Sequence, residues 1–229
     1  VDGELSIDAP VITAGQATTS SLLATGRLAV SGGDPAASVP TAAGLGARLT
    51  MSAADIDFGG RIVLPSGTVR LVQTGDPATP VQGNNLRVAG NAAIDVAGDT
   101  LVFGPKQVGT PGGTVSLEAE TGTLELAAGA VLDVSGATDA EAGTLELRAA
   151  QGAVSFAPGL RLLARDSAQS TGSLLLDAGS LASSDPTVGN AMTSLSAVLE
   201  SGGFRASRKL RLRDQDILIE TGSTIRARE

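Results

Sequence analysis

GTVSLEAETGTLELAAGAVLDVSGATDAEAGTLELRAAQGAVSFAPGLRLLARD, residues 113–166, nearly repeats itself. GTVSLEA at 113–119 returns 30 residues later as GTLELRA at 143–149, and after a further 29 as GSLLLDA at 172–178. The copies share an opening Gly, apolar residues at alternate positions, and a closing Ala. Alternation of period two is the pattern of a strand with one buried face. The phase persists outside these heptads. GTLELAAG at 122–129 precedes GAVSFAPG at 152–159 by 30 residues, and Leu132 and Val134 of AVLDVSG precede Leu162 and Ala164 of LRLLARD by the same interval. One period therefore holds three short strands divided by Gly-bearing corners.

A single coil of three strands cannot bury its inward side chains, and its edges leave backbone groups unpaired. Stacking identical coils about 4.8 Å apart removes both problems, because each strand pairs with its equivalents above and below. Leu117, Leu147 and Leu176 are then expected to form one interior column. The expected fold is all-β: a right-handed, three-sided parallel β-helix with loop insertions and one short helix. Residues 1–229 read as one continuous segment of roughly eight to ten coils. Val1 lies within a patterned segment and Glu229 follows no polar cap, so the sequence reads as part of a longer chain.

The same grammar runs at a tighter period in LTMSAADIDFGGRIVLPSGTVRL, 49–71. Leu49 with Met51, Ile56 with Phe58, Ile62 with Leu64, and Val69 with Leu71 read as four consecutive strands, the fourth restarting the first side about 20 residues on. The surplus of the longer period goes to loops such as ATDAEA at 137–142, and loops are also expected at 32–44, 74–85 and 104–113. NAMTSLSAVLES, 190–201, breaks the pattern. Asn190 can cap a helix whose face carries Met192, Leu195 and Leu199, and Gly202 and Gly203 end it. Strands resume with Leu210 and Leu212 inward, and then Ile217, Ile219 and Ile225.

Composition narrows function. The chain has no His, Cys, Trp or Tyr and four Phe, yet 42% of it is hydrophobic. Without His or Cys there is no imidazole base, no Ser-His-Asp or Cys-His nucleophile, and none of the usual zinc sets. The net charge of -8 disfavours nucleic acid as a partner. No apolar run is long enough to span a bilayer as a helix. Carboxylate pairs at i, i+2 spacing remain, and the candidates are Asp55 with Asp57, Glu118 with Glu120, and Asp214 with Asp216. Such spacing also arises on any solvent-facing strand. The single GGD at 32–34 and the GLGAR at 44–48 fall short of calcium and phosphate motifs. No catalytic residue, metal or cofactor is expected. The one charged surface feature is basic: Arg205, Arg208, Lys209, Arg211 and Arg213, a candidate contact for anionic glycans.

GELSIDAPVITAG, GTLELAAGAVLDVSGA, GTLELRAAQGAVSF and SGGFRASRKLRLRDQDILIETGSTIRA resemble the repeat regions of filamentous haemagglutinin-like exoproteins of two-partner secretion. The resemblance implies a long right-handed β-helix, carried through the outer membrane by a barrel transporter and then displayed at the bacterial surface or released for adhesion. That family's amino-terminal secretion module, with its Asn-rich motifs, is not visible here, so transporter contact is expected through a region outside residues 1–229. A host-surface or glycan receptor is the other expected partner. The expected role is structural and not enzymatic: a stalk that holds an adhesive or toxic element away from the cell. A polysaccharide-binding or polysaccharide-degrading β-helix is the rival, and a third possibility is that the loops at 32–44 and 179–203 form a specific ligand-binding surface.

Overall fold

Strands form where the sequence alternates, and they lie parallel because each period returns the chain beside its previous pass. The computed structural model describes residues 1–39, 44–75, 84–165, 172–183 and 191–217. One pass contains β1 (Leu5–Asp8), a bridge at Ile12, and β2 (Thr19–Leu23). The next holds β3 (Arg27–Ser31) and β4 (Arg48–Ala53), followed by β5 (Asp55–Phe58), β6 (Arg61–Val63) and β7 (Thr68–Gln73). Then come β8 (Leu86–Val88), β9 (Ala93–Asp95), a hairpin of β10 (Thr100–Phe103) and β11 (Lys106–Gly109), and β12 (Thr114–Ala119). After β13 (Leu124–Leu126) and β14 (Val131–Asp133), the long β15 (Thr144–Phe156) rounds a corner by itself. β16 (Arg161–Leu163), the long β17 (Ser173–Ser183), α1 (Ala191–Gly202) and β18 (Ser207–Leu212) complete the described elements.

These strands stack into ladders. The first runs β2, β4, β7, β12, the leading half of β15, the leading half of β17, and β18. The second runs β1, β3, β5, β8, β13, then the trailing halves of β15 and β17. Both belong to one twelve-stranded sheet, and β6, β9, β14 and β16 form a separate parallel sheet. The architecture is a parallel β solenoid. The 20-residue restart appears as expected, with Leu49 opposite Val69 and Met51 opposite Leu71.

Inward residues line up rung on rung. Met51, Leu71, Leu117, Leu147 and Leu176 make one column, all fully or almost fully buried. Leu28, Ile56, Leu86, Leu124, Val154 and Leu181 make another, and Ile62, Ile94, Leu132 and Leu162 a third. Three of the four Phe, at 58, 156 and 204, lie in this interior. Corner glycines stack as well. Thr144 N donates to Gly113 O at 3.0 Å and Ser173 N to Gly143 O at 3.1 Å, which draws the glycine backbones together. A Cβ on Gly143 would overlap the Gly113 carbonyl, so only glycine fits.

Several expectations need correction. Each long ladder has seven rungs among the described residues, and residues 218–229 lie outside them. Residues 104–113 are not all loop: β11 pairs antiparallel with β10, placing Val102 and Phe103 in solvent. Among the described residues, no strand between β3 and β4 joins the third ladder. Ile12 instead bonds across to β6, with Ile12 N donating to Arg61 O at 2.8 Å. Arg61 pins the bypassing loop by donating to Asp34 O and Ala37 O. The expected helix is present, with Met192, Leu195 and Leu199 buried, and Ala164 N donates to Gly202 O at 2.7 Å, so the end of α1 extends the third ladder. Its cap Asn190, together with Ile219 and Ile225, lies outside the described residues. Ile217 is 45% exposed beyond the last described strand.

Candidate functional site: a charged groove on the first ladder

Alternate residues of the first ladder point outward, and there the charges collect. Register places Glu118 beside Arg148, Arg148 beside Asp177, and Asp177 beside Arg211. Four consecutive rungs thus carry acid, base, acid, base. Arg70 donates to Glu118 at 2.6 Å, Arg148 to Glu146 at 3.2 Å, and Arg213 clasps Asp177 through Nε and Nη2 at 2.8 and 2.7 Å. A groove of about 410 Å³ follows Glu118, Glu120, Arg148, Asp177 and Arg213. It shares Arg148 and Asp177 with a second groove of about 320 Å³ that reaches Leu175, Lys209 and Arg211.

The Arg213 hydrogen bonds hold the Asp177 carboxyl below the ordinary carboxylate range, and the nearby Arg211 and Arg148 charges add to the effect. Asp177 is therefore ionised near neutrality and has no proton to donate as a general acid. The groove offers fixed charges of alternating sign on a rigid wall.

The five basic residues do not form one strip. Arg208 lies in the inward-facing register, opposite Leu174, with its side chain 2% exposed. It donates through Nε to Phe204 O at 2.6 Å and through Nη2 to Glu200 at 2.8 Å, and Arg205 shares Glu200 at 3.3 Å. Arg208 leaves the expected basic surface because strand alternation starts at Ser207 and sets it in the inward register. Lys209 and Arg211 are exposed and, among the described residues, carry no ion pair.

The carboxylate pairs resolve differently. Asp55 and Asp57 belong to an ion-pair ladder on the second wall, in which Arg27 meets both and Arg87 bridges Asp57 to Glu125. Glu118 faces outward on β12, but Glu120 lies past the strand's end, where its N–H donates to Gln73 O. Asp214 and Asp216 are exposed beyond β18. At GGD, the Asp34 carboxylate accepts from Ala36 N at 2.8 Å and so shapes a turn. Gly44 and Gly46 of GLGAR have positive φ where the chain re-enters the coil. Of the alternative ligand surface at 179–203, residues 179–183 belong to β17 and 191–202 to α1, while 184–190 lie outside the described residues.

Comparison with known protein families, curated proteins and solved structures gave no match.

The sequence reading missed Arg148 and Asp177, which lie in separate heptads 29 residues apart; only the aligned register makes them neighbours. It also missed Gln73. That side chain is wholly buried in a position occupied by Ala53 and Ala119 on adjacent rungs. It donates to Ala54 O and Thr121 Oγ1 and accepts from Thr121 N and Gly122 N, closing the corner from which residues 74–85 leave.

Proposed function

We propose that this chain is a stalk segment of a secreted bacterial surface exoprotein, built as a right-handed, three-sided β-helix. It reaches the outer-membrane transporter through a region outside residues 1–229. The observation that supports this most is the unbroken stacking of aliphatic columns beneath outer walls whose charges mostly neutralise one another. A right hand follows from the sterics of parallel crossover connections. Such a stack transmits length and stiffness along its axis and needs no ligand to fold. Surface delivery tests the reading. Placed behind the secretion module of a two-partner system and coexpressed with its transporter, residues 1–229 are expected outside the cell in a folded, protease-resistant form. Retention in the periplasm overturns it.

A second reading concerns Lys209 and Arg211, two unpaired cations beside the half-buried Leu175, which suit an anionic glycan chain. The Lys209→Ser, Arg211→Ser double variant is expected to lose retention on heparin or lipopolysaccharide. Unchanged retention removes the glycan contact.

A further inference from the structure

The order of charges on the first wall has a symmetry. Up the column Glu118, Arg148, Asp177, Arg211 the signs run minus, plus, minus, plus. Turned end over end, the column reads plus, minus, plus, minus. Two such walls placed face to face and antiparallel, about a two-fold axis along the strands midway between β15 and β17, oppose unlike charges at every rung. Glu118 meets the second copy's Arg211, and Arg148 meets the second copy's Asp177. A parallel, in-register pairing sets like against like at all four. The neighbouring outward column, Ser116, Glu146, Leu175, Lys209, brings no like charges together in the antiparallel arrangement, since Ser116 faces Lys209 and Glu146 faces Leu175.

We infer that this wall docks a second copy of the same chain, forming an antiparallel two-fold dimer of rods. The contact is isologous, so each unlike pair occurs twice. The column spans about 14 Å, three rung spacings, on one wall, so the four charges fit a single docking face. A polyanion fits the whole column poorly, because Glu118 and Asp177 would repel it at two of four rungs. The net charge of -8 on each copy opposes association at long range. At about 0.15 M salt the screening length is roughly 8 Å, which damps that repulsion while sparing pairs in contact. Exposed ion pairs are individually weak, so the dimer is expected to be weak and salt-sensitive.

Sedimentation of the chain in about 0.15 M salt, over a range of protein concentrations, tests this. A dimer that rises with concentration and dissociates at about 1 M salt, where screening falls to roughly 3 Å, is expected. Arg148→Asp and Asp177→Arg are each expected to weaken self-association at least about tenfold, since each turns two attractive pairs repulsive. An equimolar mixture of the two variants restores unlike charges across the axis and is expected to dimerise again. Folding of both is checked by circular dichroism, and restoration in the mixture itself requires both to be folded. A chain monomeric at every concentration, single variants that dimerise like the parent, or a mixture that stays monomeric overturns the inference.

Discussion

At the scale of the residue, the buried Gln73 and the half-buried Asp95 show opposite energetics. Gln73 satisfies its amide at both ends, so removing it leaves the Thr121 and Gly122 N–H groups and the Ala54 carbonyl without that partner. Gln73→Ala is expected to cost about 3 kcal/mol, read as a lower urea midpoint at unchanged slope. Asp95 stands in the outward register of the third ladder, beside Asp133. Burial raises its pKa above 3.8, against the Ala97 N–H bond that lowers it, and the Asp133 charge raises it further. Between 3.8 and that raised value the folded protein binds more protons than the unfolded chain, so stability falls as pH rises through the window. Asp95→Asn keeps an oxygen for Ala97 N and removes the charge. The variant is expected to melt higher than the parent near pH 7, with the difference vanishing below about pH 4. Asp177 has the opposite sign: its lowered pKa stabilises the fold above 3.8, and that contribution is lost as pH falls.

At the scale of the element, what distinguishes this strand grammar is the corner. Gly113 and Gly143 stack where the first ladder begins, and Gly122, Gly152 and Gly179 where the second does, each with the neighbouring carbonyl in the space a Cβ would take. Alternation alone would permit Ala at these sites. Gly143→Ala is expected to destabilise by more than about 2 kcal/mol, because backbone must move in two rungs at once. Leu147→Ala, in the adjoining column, is expected to cost about 2 to 5 kcal/mol through the cavity it leaves. Chemical denaturation of the two variants compares corner with core; a Gly143→Ala protein as stable as the parent refutes the close stacking of the corners.

At the scale of the whole molecule, stability is distributed along an axis. Each coil contacts mainly its neighbours, so protection should depend on how many neighbours a strand has. Amide hydrogen exchange is expected to be slowest in β7, β12 and the leading half of β15, which pair on both edges, and faster in β1 and β2. Duplicating residues 114–143 after Gly143 adds one full period, with Thr114 already in register with Thr144. The product is expected to fold and to lengthen by about 4.8 Å in small-angle scattering. Loss of folding on that insertion contradicts additive stacking.

The sequence by itself determined the strand content, the 29- and 30-residue returns, the aliphatic columns and the helix at 191–202, because each follows from local alternation, spacing or capping. Leu117, Leu147 and Leu176 could be matched before any coordinates were known. It did not determine the pairing of Ile12 directly with β6 or the hairpin carrying Phe103, since these depend on how much chain each corner diverts. Nor did it determine which charges meet. Glu118, Arg148, Asp177 and Arg211 are separated by 29 to 34 residues and become neighbours only when backbone pairing fixes their rungs, while Arg208, one of an apparent basic run, was turned inward by the same register. Side-chain periodicity is written in the chain one residue at a time; charge order on a wall exists only across hydrogen-bonded strands.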